Sequence, residues 1–152
     1  KVRYHHEILG VNSRLDTLQA AILVVKLRHL ENWNNARRRF AARYDEMLAG
    51  TPAIVPYVSP SCTHIFHQYT LRVPQRNALA DHLKEEGIPH AIYYPIPLHL
   101  QKAFAVSGSK KGDFPITEQA CDEVLSLPMH TELTEEHQAF ITQTIKNFYT
   151  QH

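Results

Sequence analysis

The chain has 152 residues, 43% hydrophobic and 20% charged, which is the make-up of an ordinary globular domain with a sizeable core and excludes a disordered or fibrous protein. Sixteen Lys and Arg against fifteen Asp and Glu leave a formal charge of +1, so no global field attracts nucleic acid or an anionic membrane. Two distant cysteines, Cys62 and Cys121, share no zinc or redox spacing and fit a reduced, cytoplasmic compartment.

The first residues, KVRYHHEILG, lack the apolar core of a signal peptide, and no apolar run approaches the roughly 20 residues that span a bilayer. The chain opens without Met in what reads as the middle of a segment, so a piece of a larger polypeptide is expected. GVNSRLDTLQAAIL, residues 10–23, is a loop that turns abruptly into a helix. From there Leu15, Leu18, Ile22, Val25, His29, Trp33, Ala36, Phe40, Tyr44 and Met47 recur at steps of three and four, the spacing of one helix face. A single helix from Leu15 to Ala49 would measure roughly 50 Å at about 1.5 Å per residue, more than a domain of this size needs. It is therefore expected to reach beyond its own domain. Leu23, Leu27 and Leu30 widen the apolar face, which predicts burial on two sides up to Leu30. Ser13 is the expected N-cap, with Asp16 three residues on, and Gly50 suits the left-handed position past the C-terminus. Arg37, Arg38, Arg39 and Arg43 read as a solvated face of the same helix.

A connection rich in proline (Pro52, Pro56, Pro60) leads to His64–Val73, which has strand composition. Gln75–Glu86 reads as a helix ended by Gly87, and Ile88–Tyr93 as a second short strand. Proline at 95 and 97 stops any sheet there. A short helix is expected around Leu98–Phe104, then a loop at 107–113, a helix with Pro115 in its first turn, and a brief strand at Val124–Leu127. The closing helix runs from Thr134 to Tyr149, capped by Thr134, with Phe140, Ile141, Ile145, Phe148 and Tyr149 on its buried face. Strands interleaved with helices predict a small α/β sandwich, a three- or four-stranded sheet covered by helices.

Chemistry-bearing motifs are sparse. No G-x-S-x-G, Walker loop or glycine-rich fingerprint occurs. The eleven histidines offer no metal-ligand spacing, since His64 and His67 would point to opposite faces of a strand, and no metal site is expected. Two stretches remain. Asn12, Ser13 and Arg14 stand at a helix N-terminus, where free N–H groups and side-chain donors suit a phosphate; in the plainer reading Ser13 caps the helix and Arg14 is solvated. AIYYPIPLHLQ, residues 91–101, makes a rigid aromatic turn with His99 and Gln101 that suits a sugar or nucleobase, or else serves only as a proline-stiffened core turn.

These stretches, with KLRHLENWNNARRRFAARYDEML, HQYTLRV, HLKEEGIPHAIYYPIPLHLQKAF and GDFPITEQACDEVLSLPMHTELTEE, resemble in order the carboxyl-terminal part of the DegT/DnrJ/EryC1/StrS family. Its members are sugar aminotransferases that use pyridoxal phosphate. The resemblance implies an α/β chain, the small C-terminal domain of the aspartate-aminotransferase fold (type I), with residues 1–50 as interface loop and long helix bridging large and small domains and 51–152 as the small α/β domain. It implies transfer of an amino group from L-glutamate to a keto group of a nucleotide-linked sugar by a homodimer. The lysine that forms the Schiff base with the cofactor lies upstream of the family's G-x-N-S-R motif, and none of the lysines here stands in that context. No catalytic residue is therefore expected in this chain, which would be inactive alone. By the same resemblance, Asn12 and Ser13 reach the phosphate of the partner's cofactor and Arg14 lies near the nucleotide-sugar. Tyr93, Tyr94, His99 and Gln101 line the substrate entrance. Many relatives carry His where Tyr93 stands; a Tyr there is similar to enzymes forming 3-amino sugars of the UDP-N-acetylglucosaminuronate type. A different class remains open, a free-standing, non-catalytic α/β module that binds a partner protein or a sugar nucleotide, because an apolar face over residues 15–30 needs a partner in any case.

Overall fold

The computed structural model describes residues 7–10 and 12–151. The predicted long helix is present as two pieces, α1 (Thr17–Leu27) and α2 (Leu30–Leu48), which meet at Arg28 and His29, both still in right-handed helical geometry. Trp33 sits just past this joint, half-buried, with the His29 ring 5.6 Å away and Lys26 Nζ 5.8 Å from its own ring centroid. Gly50 adopts φ +80°, the left-handed conformation expected of it.

The start of α1 differs from expectation. Asp16, not Ser13, is the N-cap: its Oδ1 accepts from Gln19 N at 2.8 Å, and Gln19 Oε1 accepts in return from Asp16 N at 3.4 Å. Asp-x-x-Gln closes the box because glutamine is long enough to reach back, whereas Asp16, as the third residue after Ser13, is a methylene short of Glu.

Beyond α2 come β1 (Tyr69–Arg72), α3 (Arg76–Glu85), two 3-10 turns (Leu98–Leu100 and Lys102–Ser107), α4 (Pro115–Glu123), β2 (Val124–Leu127) and α5 (Glu135–Gln151). The regular sheet holds two strands rather than three or four. β1 and β2 run antiparallel, with Tyr69 opposite Leu127 and Leu71 opposite Leu125 on the core face, and Thr70 opposite Ser126 on the other. The expected strand at Ile88–Tyr93 contributes one bridge, Ala91 to Ser126, and the proline-rich connection contributes another, Ile54 to Arg72. Proline brackets both segments, Pro52 and Pro56 around Ile54, Pro89 and Pro95 around Ala91, and without a donor at those positions the ladder cannot lengthen. The stretch 64–68 is likewise not strand: Phe66 has φ +47°, and its N–H donates to His64 Nδ1 instead of a neighbouring strand.

The core lies between the sheet and α2, α3 and α5. Tyr44 and Tyr69 stack at its centre, 4.9 Å apart and fully enclosed; Tyr44 donates to Pro128 O at 3.1 Å and Tyr69 to Asp45 Oδ1 at 2.6 Å. Burial, reinforced for Tyr69 by Asp45, pushes both phenols far above their usual range. Thr134 caps α5 as expected, its Oγ1 accepting from His137 N at 3.1 Å. Phe140 does not join the buried face: it is 53% exposed, and Gln138, Thr142 and Thr144 are enclosed instead.

Candidate functional site

Asn12, Ser13 and Arg14 are exposed and make no hydrogen bond or ion pair among the described residues. The helix terminus behind them is already served, because Asp16 places a carboxylate over the first free N–H groups of α1. That carboxylate neutralises the positive end of the helix and would repel a phosphate seated there. Anion binding by this stretch falls to the side chains of Asn12, Ser13 and Arg14 themselves. Glu7 Oε1 lies 3.8 Å from Lys102 Nζ, an exposed ion pair between the first described residues and the turn at 98–107.

The aromatic turn begins where Ala91 exchanges both backbone hydrogen bonds with Ser126, at 3.1 and 2.7 Å. Tyr93 is half-buried, and Tyr94 is 62% exposed; their rings meet edge to face at 5.9 Å, across a cis peptide bond. His99 and Gln101 turn the other way. Gln101 is buried, and His99 Nε2 donates to Glu118 Oε1 at 3.0 Å with its ring against Phe114. The four residues expected along a substrate entrance thus separate into two presented outward and two enclosed.

Beside Tyr93 the surface dips into a shallow hollow of about 410 Å³, walled by His67, Gln68, His90, Tyr93, Ser126 and His130 among others. Among the described residues, no carboxylate and no lysine line it. His90 Nδ1 donates to Ile88 O at 3.1 Å, which fixes its tautomer and leaves Nε2 as the atom that can meet a ligand. The walls are tied together from below by Arg37. Its Nη1 shares its hydrogens among Phe66 O (3.1 Å), His67 O (3.2 Å) and Met129 O (2.9 Å), joining the 64–68 loop and the end of β2 to α2. Arg37 is therefore a half-buried organiser, unlike the solvated residue expected. Arg38 and Arg43 do form surface ion pairs, with Glu31 and Glu135. Nothing in the run of arginines marks Arg37 out: the acceptors lie about 30 and 92 residues away along the chain. Among the described residues no three His, Cys, Asp or Glu side chains gather as metal ligands, and no helix is long and apolar enough to cross a membrane.

The arrangement can bind and orient a polar, ring-bearing ligand against tyrosine and imidazole. Among the described residues that line the hollow, none is a carboxylate, lysine or cysteine that could act as an acid–base partner or nucleophile beside the imidazoles.

Comparison with known proteins places the chain. The DegT/DnrJ/EryC1/StrS aminotransferase family profile matches residues 1–146. A pleiotropic regulatory protein of Geobacillus stearothermophilus is 48% identical over 98% of this chain and 41% of its own length. A UDP-N-acetyl-3-dehydro-alpha-D-glucosamine 3-aminotransferase of Acidithiobacillus ferrooxidans is 45% identical over 94% of this chain and 38% of its own. Among solved structures, DesV of S. venezuelae in complex with a ketimine intermediate superposes with a TM-score of 0.86 at 35% identity, covering 98% of this chain and 40% of that one. The chain thus spans about two-fifths of the length of these relatives. With a match over nearly all of its residues and the ordered motifs in place, the chain belongs to the DegT/DnrJ/EryC1/StrS aminotransferase family.

Proposed function

We propose that this chain is the carboxyl-terminal part of a pyridoxal-phosphate-dependent nucleotide-sugar aminotransferase with the aspartate-aminotransferase fold, moving an amino group from L-glutamate to a keto group of the sugar. One observation carries the reading: the exposed Asn12–Ser13–Arg14 triad opens directly onto α1, a helix that buries none of its residues within the chain. Polar donors without partners and a bare apolar helix both call for a second polypeptide surface. The relatives supply the chemistry, since the one from Acidithiobacillus ferrooxidans is named for a UDP-linked amino sugar.

The residues present fit one portion of pyridoxal phosphate, its phosphate. Asn12 and Ser13 are neutral donors with no internal partner, and Arg14 adds a cation beside them. When bound, the cofactor supplies an electron sink and the means of carrying an amino group between donor and acceptor. By the family's motif order the Schiff-base lysine is assigned to the larger domain, and on this reading the chain alone is inactive. Its own residues bind and orient. Asn12 and Ser13 hold the phosphate of the partner's cofactor, Arg14 meets the nucleotide, and Tyr93 and Tyr94 face the sugar. His99 and Gln101 support the turn from within. α1 seats the homodimer, and residues 1–50 bridge the large domain and the small domain at 51–152, on which α2 packs its buried face.

The full-length protein tests the reading. Incubated with pyridoxal phosphate, L-glutamate and a panel of keto-sugar nucleotides, it should retain the cofactor through gel filtration and release 2-oxoglutarate. Asn12→Ala should lower cofactor retention. A full-length protein that keeps no cofactor and aminates no sugar would overturn the proposal; an isolated chain that is monomeric and binds sugar nucleotides tightly would favour a free-standing module.

A further inference from the structure

His99 has a supporting place in the turn, and what holds it there is a cluster of hydrogen bonds around the Glu118 carboxylate. Glu118 lies in the first turn of α4, a helix that begins at Pro115 with no side-chain cap. Its carboxylate bends back to do that work. Oε1 accepts from Gly112 N at 2.8 Å, from His99 Nε2 at 3.0 Å and, at 3.5 Å, from Phe114 N, while Oε2 accepts from Gly112 N at 3.1 Å. The pair is enclosed, with His99 10% and Glu118 14% exposed, and the Phe114 ring lies 4.8 Å from the imidazole. An ionised carboxylate only accepts, so His99 Nε2 carries the proton.

The location gives the pair its significance. Between Ala91 and Gly108 the backbone hydrogen bonds are local, Leu100 to Pro97, Gln101 to Leu98, Phe104 to Gln101 and Gly108 to Ala105. None of these ties the turn to the rest of the fold. Ala91 is bridged to Ser126 of β2 at one end, and His99 is held by Glu118 of α4 at the other. α4 passes into β2 without a loop, Val124 being both the C-cap of the helix and the first residue of the strand. Both ends of the segment that carries Tyr93 and Tyr94 are therefore fastened to one continuous α4–β2 element, and the bond from His99 to Glu118 is the fastening on α4.

We infer that His99 and Glu118 are positioning residues that hold the Tyr93–Tyr94 arc in its binding geometry and set the affinity for the nucleotide-sugar without touching it. The inference rests on the proposed aminotransferase reading for its ligand, but the clasp itself does not.

Full-length holoenzyme carrying His99→Ala, His99→Gln and Glu118→Gln tests it with two readouts. Losing one charge-assisted hydrogen bond that acts only through binding should raise the KM for the nucleotide-sugar about tenfold while kcat and the KM for glutamate stay within about twofold. His99→Gln keeps an N–H donor and should recover most of the loss. Amide exchange should accelerate in residues 92–113 of the His99→Ala and Glu118→Gln proteins and stay unchanged in α5. Unaltered exchange would remove the clasp. Accelerated exchange with an unaltered sugar KM, or a fall in kcat instead, would remove the positioning role. Should the parent enzyme aminate no sugar, the functional reading falls and the sugar-affinity role falls with it, while the exchange arm still decides the clasp.

Discussion

α1 and α5 are both amphipathic in sequence, yet the more apolar of the two is the one that buries nothing. α1 (TLQAAILVVKL) leaves Leu18 at 73% exposure and Ile22, Val24, Val25 and Leu27 all more than half exposed. α5 encloses six residues, three of them polar: Gln138, Thr142 and Thr144 join Ile141, Ile145 and Phe148. Gln138 is fully enclosed and donates to Phe40 O of α2 at 2.9 Å, and Thr142 and Thr144 turn their hydroxyls onto carbonyls of their own helix. Burial follows the availability of a partner, and hydropathy alone does not supply one. α2 and α5 find partners in each other and in the sheet, whereas α1 reads as a surface prepared for another body.

The largest test of this contrast is a pair of truncations. Ile145→Ala in α5 should cost about 2–5 kcal/mol in urea denaturation, whereas Ile22→Ala in α1 should change the stability of the isolated chain by less than about 0.5 kcal/mol. A comparable cost at both positions would mean that α1 packs within the chain. Arg37→Ala comes next: with three carbonyls losing a charged donor, a loss of about 2–3 kcal/mol is expected, along with faster amide exchange in the 64–68 and 128–130 loops around the hollow. Asp16→Ala should lower helicity at α1 and, since that helix supports nothing else in the chain, reduce global stability by no more than about 1 kcal/mol, read by circular dichroism and denaturation in parallel.

The smallest effect is electrostatic. Backbone N–H donation from Gly112, then the His99 hydrogen bond, hold the Glu118 carboxyl below the usual carboxylate range. A group whose pKa is lowered on folding contributes stability above its unfolded value and loses it as pH falls through the folded one. The parent chain should therefore lose stability more steeply than Glu118→Gln on acidification below about pH 4.5. Parallel acid profiles for the two proteins would contradict the assignment.

Much of the frame was legible because local rules decided it. α3 with its glycine stop, Pro115 opening α4, the four residues of β2 and the threonine cap of α5 all depend on signals within a few residues. What escaped depends on distant partners. The strand expected at His64–Val73 shrinks to Tyr69–Arg72 because Arg37, about thirty residues earlier, takes the carbonyls of Phe66 and His67. Periodicity made Phe140 a core residue, but Gln138 occupies the enclosed position through a bond to α2. At the candidate site, the stretch 91–101 turns where its prolines predict an end to any strand, and pattern does not say which of its side chains look outward. His99 turns inward because Glu118 waits nineteen residues later in the chain.

The chain has one tryptophan, and it stands at the seam between the bare helix and the packed ones. Trp33, beside His29 and Lys26, is thus a native fluorophore placed where the chain's own core ends. A partner that reaches past α1 to cover this half-buried indole should move its emission to the blue, with no second indole to mask the change.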